Sequence, residues 1–434
     1  MSKSDQGKLQ NKFDQAIRHH SAGRLQKAKQ LYHKVLKIDS GHSDTLHMLG
    51  LLTHQLGDND AAIRLLNKAL QQGSQSAELF TNLGNALQAS GKNEEAITSF
   101  KNALKINPDF ILAHNNLGNA LNLAGNKEAA IASFNTAIGL NPNAALAYYN
   151  LGNLFYSKGE QENAIAHFRK ALAIEPEFAD ANNNLASLLA ATGNIEEAIE
   201  LFKKALKLNR NNAMAQHMLD ALEGNTSTHP SPDYVISLFD NAANDFDKQL
   251  VTRLDYKAPE LIYQAVGKLS ELHDNSLDIM DLGCGTGLCA PLFHASAKKL
   301  KGIDLSKNML AKARALNLYD ELITGDITAQ LSRSNDKYDL ILSADVFIYV
   351  GDLKSLFKAS VQALKPNALF AFSLEAEEGG TDFRLCNTGR YAHSMNYIRK
   401  LAKENSLEEK YFTEATLRMD KDEPIKGYIV VLGN

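Results

Sequence analysis

A period of 34 residues runs through the first half of the chain, and few folds can accommodate it. A ruler started at Leu9 fits six units without a gap and ends at Asn212. The eighth position of each unit is small: Ala16, Gly50, Gly84, Gly118, Gly152 and Ala186. The twentieth is alanine throughout, from Ala28 to Ala198. The twenty-fourth is large: Tyr32, Leu66, Phe100, Phe134, Phe168 and Phe202. Three units close with proline (Pro108, Pro142, Pro176), and Gly91, Gly125, Gly159 and Gly193 fall between the halves of their units. A small residue facing a large one lets two helices approach closely, and glycine or proline ends each helix. The pattern predicts antiparallel helix pairs stacked into a solenoid. Residues Ala213–Glu223 continue the first-helix pattern and then stop, which predicts a helix closing the array.

These features resemble the tetratricopeptide repeat (TPR). Four successive units carry asparagine at position six: Asn82, Asn116, Asn150 and Asn184. Asparagine is a mediocre helix former, so a ladder of it on one helical face asks for a reason. One reading is interhelical hydrogen bonding. The other is substrate binding, since an amide both donates to and accepts from a peptide backbone. The array resembles the asparagine-laddered TPRs of the O-linked N-acetylglucosamine transferases. That resemblance implies a protein or peptide partner on the concave face.

The stretch Gly224–Asp233 reads as a linker by composition. The expected domains are therefore an array over 1–223, a linker over 224–233 and a second domain over 234–434. From Tyr234 helical segments alternate with short apolar runs, the pattern of an α/β domain with a mostly parallel sheet. The runs are Leu277–Leu282, Lys299–Ile303, Glu321–Thr324, Tyr338–Ser343 and Ala368–Leu374. Two more, Tyr411–Arg418 and Lys426–Leu432, flank the turn Asp420–Pro424 and predict a final antiparallel hairpin.

The first run ends in Asp281-Leu282-Gly283-Cys284-Gly285-Thr286-Gly287. Glycines after a buried strand permit a tight turn and close approach to a ligand. The acid ahead of the loop suits a cation and would repel a pyrophosphate. Strand two ends in Asp304, placed to reach ribose hydroxyls, with Leu305 and Met309 as apolar surface for a base. Gly325-Asp326-Ile327 and Leu364-Lys365-Pro366 follow in order. The set resembles the class I S-adenosylmethionine-dependent methyltransferases: a Rossmann-like domain with seven strands, the last antiparallel. The resemblance implies that Asp281, Gly283, Cys284, Gly285, Thr286, Gly287, Asp304, Leu305, Met309, Asp326 and Ile327 bind S-adenosylmethionine. Asn367-Ala368 replaces two glycines usual in that family.

For the acceptor, the same resemblance points to the end of strand four, with Asp345 and Tyr349 as candidate catalytic groups; His393, at the ligand-facing edge of the sheet, is a third. Arg390-Tyr391-x-His393 is expected to begin a helix, with Arg390 and Tyr391 binding an anion or phenol. Quinone-pathway O-methyltransferases place a metal-binding acid, acid and histidine where Asp345, Ile348 and Tyr349 stand, so no metal is expected. Phe239-Asp240-x-x-Ala243-x-x-Phe246-Asp247 looks like the lid helix of ubiquinone-type methyltransferases, with Tyr234 and Tyr256 nearby.

A net charge of −4 over 434 residues supplies no field to attract nucleic acid. The N-terminus is polar, no apolar stretch reaches 18 residues, and three cysteines (Cys284, Cys289, Cys386) fit no zinc spacing, so a cytoplasmic protein is expected. The fused array favours a protein or carrier-bound acceptor. The alternatives are a small metabolite such as a quinone, with the repeats only docking the enzyme, and a non-catalytic TPR adaptor.

Overall fold

The computed structural model describes residues 3–242, 247, 254–270, 275–420 and 423–434. Of the lid motif, Ala243 and Phe246 therefore lie outside the described residues. The chain divides into two compact units, Met1–Leu188 and Leu189–Asn434. The division falls inside the helix Ala179–Ala191 and well before the expected boundary at 223, so the second unit takes in both the last repeat helix, Ile195–Leu208, and the closing helix Ala213–Glu223.

In the first unit, helices of 13 or 14 residues alternate with short turns from Leu25 onward, in the register of the repeat. The small position is required by the neighbouring helix. A Cβ on Gly118 would fall 2.6 Å from Phe134 Cε1, and one on Gly84 would fall 2.5 Å from Phe100. Phe100, Phe134 and Phe168 are fully buried there. Gly91 and Gly125 end their helices with positive φ (76° and 82°), the left-handed conformation that suits glycine.

The asparagine ladder is bonded from repeat to repeat. Asn116 Nδ2 donates to Asn85 Oδ1 (2.8 Å), Asn150 Nδ2 to Asn115 Oδ1 (2.9 Å), and Asn184 Nδ2 to Asn153 Oδ1 (2.8 Å). Asn82 Nδ2 lies 2.9 Å from His47 Nε2. Each rung thus reaches back to the preceding repeat. Interhelical bonding engages the amide nitrogen of each of these asparagines.

Among the described residues the second unit contains a nine-stranded sheet: β1 (Leu277–Leu282), β2 (Ala297–Asp304), β3 (Glu321–Thr324), β4 (Tyr338–Ser343), β5 (Leu364–Ala376), β6 (Phe383–Leu385), β7 (Tyr391–His393), β8 (Glu408–Asp420) and β9 (Glu423–Gly433). Strands β3, β2, β1, β4 and β5 are parallel in that order. β9 runs antiparallel to β5, and β8 pairs antiparallel with β9. These seven are the expected layout. The short hairpin β6–β7 is additional and joins the C-terminal end of β5 at Glu375 and Ala376.

The parallel strands read as continuous apolar runs because helices cover both faces. Along β4, Ile341 enters one core with Phe347, Phe357 and Phe370, while Leu340 and Leu342 enter the other with Ile262, Phe293 and Ile429. Lys365 of the Leu-Lys-Pro motif sits at the opposite end of the sheet from the glycine loop. Its Nζ bonds Asp278 (2.6 Å) and Asp339 (2.7 Å), joining β5 to β1 and β4. Asn367 takes a φ of 61° within β5, so a left-handed residue replaces the glycines there.

One expectation is corrected. Arg390–His393 begins no helix; residues 391–393 form β7, and the next helix starts at Met395. The stretch expected as a linker is hydrogen-bonded at Thr226, Ser227 and Thr228. Leu385 N–H donates to Thr226 Oγ1 (3.4 Å), Ser227 Oγ and Tyr391 Oη share a hydrogen bond (2.8 Å), and Asp352 N–H donates to the Thr228 carbonyl (2.8 Å). Small hydroxyl residues there act as hydrogen-bonding groups where composition alone suggests a tether.

Candidate active site

A cavity of about 540 Å³ opens at the C-terminal ends of β1, β2 and β4. That is where parallel sheets place ligands, because strand ends and helix starts converge there. One half is built by the glycine loop. Gly283 (φ 65°) has no room for a side chain: a Cβ would stand 2.4 Å from Val346 Cγ2. A Cβ on Gly285 (φ 54°) would meet no atom closer than 4.0 Å, so the loop backbone there is open to a ligand.

Asp304 fixes this loop. Its Oδ2 accepts from the Gly285 N–H (2.9 Å) and its Oδ1 from the Ser306 N–H (2.7 Å). Burial raises its proton affinity, and the backbone donors oppose that shift. Asp281 is 1% exposed and accepts from the Tyr319 hydroxyl (2.6 Å). Desolvation pushes its carboxyl up to about 7. A buried acid with one neutral donor has room for a cation, as the ammonium of an amino-acid ligand would supply. Asp326 Oδ1 caps the following helix at the Ala329 N–H (2.8 Å), so at most Oδ2 faces a ligand.

Cys284, Thr286, Leu305 and Ile327 line the same cavity. Two expected cofactor residues do not. Gly287 turns away, hydrogen-bonded to the Cys284 carbonyl and packed against Leu316. Met309 is fully buried in its helix beneath the site. From above, Asp240 of the helix Pro232–Ala242 accepts from Ser306 Oγ (2.5 Å), and Asp247 accepts from Thr286 Oγ1 (2.5 Å). Two acids of the lid motif thus latch onto the loops after β1 and β2.

The other half of the cavity lies between Tyr234, Phe239, Tyr256, Tyr349, Arg390 and Arg418. Arg418, 1% exposed, comes from β8 and is the principal residue that sequence reasoning missed. Its Nη1 donates to both Asp345 oxygens (2.8 and 2.7 Å), and its Nη2 bonds Glu375. Its Nε is buried and has no hydrogen-bond partner among the described residues. Asp345 holds a left-handed φ of 61°, fixed by its N–H bond to Ser373 Oγ (2.8 Å). Strained backbone of this kind collects at functional sites. Arg390 lies 3.9 Å from Glu375 and 3.8 Å from Asp420, beyond hydrogen-bonding distance of either. Alternation along β8 gives no signal for it, because Leu417 and Arg418 are both buried beside a register shift between Thr416 and Arg418.

His393 and Tyr391 do not reach the cavity. His393 is fully buried, its Nε2 bonds the Gly351 carbonyl (2.8 Å), and desolvation lowers it to about 4. Tyr391 is buried against Ser227. Both follow from residues 391–393 being a strand. The expected pair Asp345 and Tyr349 is brought together with Arg390. Ile348, where the quinone-pathway pattern has an acid, is buried in the core. Among the described residues no helix is long and apolar enough to cross a membrane.

The fold and the loop geometry define a class I methyltransferase domain behind tetratricopeptide repeats. A family profile described as "Methyltransferase domain" matches residues 280–372, and repeat profiles match 19–85, 85–125, 118–159, 152–193 and 179–212. The chain is 28% identical over 142 residues to the biotin biosynthesis bifunctional protein BioHC of Saccharophagus degradans, covering 32% of this chain and 24% of the relative. It is 31% identical over 99 residues to the malonyl-acyl-carrier-protein O-methyltransferase of Acetivibrio thermocellus (22% and 35%). It is 30% identical over 101 residues to the ubiquinone biosynthesis O-methyltransferase of Hydrogenovibrio crunogenus (22% and 41%). The chain thus spans less than half the length of each of these relatives.

Proposed function

We propose that the protein transfers the methyl group of S-adenosylmethionine to an anionic oxygen acceptor borne by a protein or carrier. The supporting observation is that the cavity joins a cation-receiving loop to an arginine-bearing half in which none of the expected bases is available, the exposed His229 being the histidine that lines it among the described residues. Asp345 has both oxygens committed to Arg418. His393 lies outside the cavity. Burial raises Tyr349, which disfavours the phenolate. A general base is needed only when the acceptor arrives protonated. An acceptor that is already an anion, such as a carboxylate, needs only to be held in line.

When bound, S-adenosylmethionine supplies an electrophilic methyl group. Asp281 receives its ammonium, Asp304 its ribose hydroxyls, and Asp326 its adenine amino group. Arg390 holds the acceptor and Tyr349 packs beside it, so most of the rate comes from positioning. One of the relatives has a name that fits this reading, an O-methyltransferase of a malonyl group held by an acyl carrier protein, while the ubiquinone biosynthesis O-methyltransferase fits the small-metabolite alternative. The TPR array, a protein-interaction scaffold, would bring in the carrier or protein.

The test is transfer of labelled methyl from S-adenosylmethionine into a fractionated lysate by the full chain. Label in the protein fraction, lost in Arg390→Met with S-adenosylhomocysteine affinity intact, is the expected result. Label confined to small metabolites, or no transfer to any fraction, would overturn the proposal.

A further inference from the structure

Arg390 follows a tight turn whose conformation is set from outside the methyltransferase domain. Gly389 N–H donates to the Cys386 carbonyl (2.8 Å), and Cys386 N–H to the Arg390 carbonyl (2.8 Å). The closing helix Ala213–Glu223 and Tyr234 press directly on this turn. A Cβ on Gly389 would stand 2.9 Å from Met218 Sδ and 3.1 Å from Tyr234 Oη. His217 of that helix is 5% exposed, and its Nε2 lies 2.9 Å from the Gly389 carbonyl. A carbonyl only accepts, so Nε2 carries the proton. The other face of the ring stacks on Tyr234, with centroids 4.0 Å apart and planes inclined by 30°.

Apolar packing alone would dock a helix here. A buried histidine is a costly substitute unless its hydrogen bond is needed. That bond goes to the carbonyl of the residue immediately before Arg390, while the ring supports Tyr234, which lines the cavity. We propose that His217 is a positioning residue for the acceptor half of the site: it fixes the 386–390 turn, and with it the direction of the Arg390 side chain. The helix that ends the repeat array thereby becomes a working part of the active site, and acceptor recognition depends on its fold. The role in acceptor binding rests on the function proposed above; the control of the turn does not.

The test uses the full chain with His217→Ala and His217→Gln, the second keeping a side-chain N–H. Three readouts are needed: the rate at which Cys386 reacts with an aromatic disulfide, the calorimetric affinity for S-adenosylhomocysteine, and labelled-methyl transfer into the lysate protein fraction. Cys386 is suited to the first because Cys284 and Cys289 are buried and it is not. For His217→Ala we expect Cys386 to react about fivefold faster as the turn opens locally. Transfer should fall on the order of tenfold, with cofactor-product affinity within about twofold of the parent. His217→Gln should bring both Cys386 reactivity and transfer most of the way back to the parent. Parental behaviour of His217→Ala in both Cys386 reactivity and transfer would overturn the proposal. So would cofactor-product affinity falling in parallel with transfer, or Gln performing no better than Ala. If His217→Ala does not fold, His217→Phe, which keeps the stack without the donor, takes its place. If the parent methylates nothing, the acceptor reading fails, while the Cys386 series still decides whether His217 holds the turn.

Discussion

The two units bury different kinds of polar group. The buried polar side chains described in residues 1–188 are hydroxyls and amides: Thr45, Thr53, Thr81, Ser99, Asn115, Ser133 and Asn182. Several bond a backbone carbonyl nearby, as Thr53 Oγ1 does to Leu49 (2.6 Å) and Thr81 Oγ1 to Ala77 (2.7 Å). In residues 189–434 the buried set includes Asp281, Lys301, Glu377, His393 and Arg418. Burying charge is expensive, so a fold that needs only shape avoids it. The second unit also separates structural charge from site charge. Lys301 is paired with Glu321 and Asp336, and Glu377 with Arg384 and the Gly379 N–H. Asp281 and Arg418 face the cavity with bonding capacity left over.

The sharpest way to break this contrast is Arg418→Met. It leaves the Asp345 carboxylate without its cation and Glu375 with Arg390 at 3.9 Å, and breaking a buried pair from one side costs about 3–5 kcal/mol. Urea unfolding of the second unit should show a loss of that size. Thr81→Val in the array should cost about 1 kcal/mol, the value of one neutral hydrogen bond. Equal losses at the two positions would erase the distinction.

A second, smaller effect is expected in the pH dependence of ligand binding. Asp281 in the free protein is held at about 7 by burial, and a bound ammonium favours its ionised form. Affinity for S-adenosylhomocysteine is therefore full above that value and falls as pH drops through it. Linkage puts the loss at about tenfold between about pH 7.5 and pH 6. Burial shifts Asp304 in the same direction, which adds to the trend. Calorimetry that shows a flat profile would mean Asp281 does not face the ammonium.

The smallest effect, and the one whose sign matters most, concerns the ladder. If Asn116 and Asn150 were free to bind a peptide, Ala at both would stabilise the helices by roughly 0.5 kcal/mol each. Because both reach back to the preceding repeat, two bridges of about 1 kcal/mol each are lost as well. A net destabilisation of about 1 kcal/mol is expected in thermal or urea unfolding. Stabilisation would show that the bridges do not form in solution.

Much of the architecture was legible because it is periodic or local. The repeat register was fixed by small residues whose need for space shows at Gly50, Gly84, Gly118 and Gly152. The cofactor loop was fixed by glycines and acids within a few residues of strand ends. What stayed hidden was non-local or conformational. Arg418 meets Asp345 across 73 residues of sequence, through a hairpin register that no local pattern reveals. Tyr391 and His393 looked like acceptor ligands until residues 391–393 proved to be a buried strand added to the sheet edge. The stretch 224–233 has the composition of a tether, and only its partners on β6, β7 and the 351–352 loop make it a strap. The ladder shows the limit of pattern reading: the repeat placed the asparagines on one face, but not the residues they bond.

The central claim is that the cavity at the ends of β1, β2 and β4 binds S-adenosylmethionine, with Asp304 organising both its loop and the ribose. The most direct measurement is calorimetric titration of the full chain and of Asp304→Ala with S-adenosylhomocysteine. Asp304 accepts two backbone N–H bonds before any ligand arrives. Losing its charged contacts to ligand and loop should weaken binding on the order of a hundredfold, with one site per parent chain. Equal affinity in the parent and Asp304→Ala, or no binding by the parent, would contradict the account.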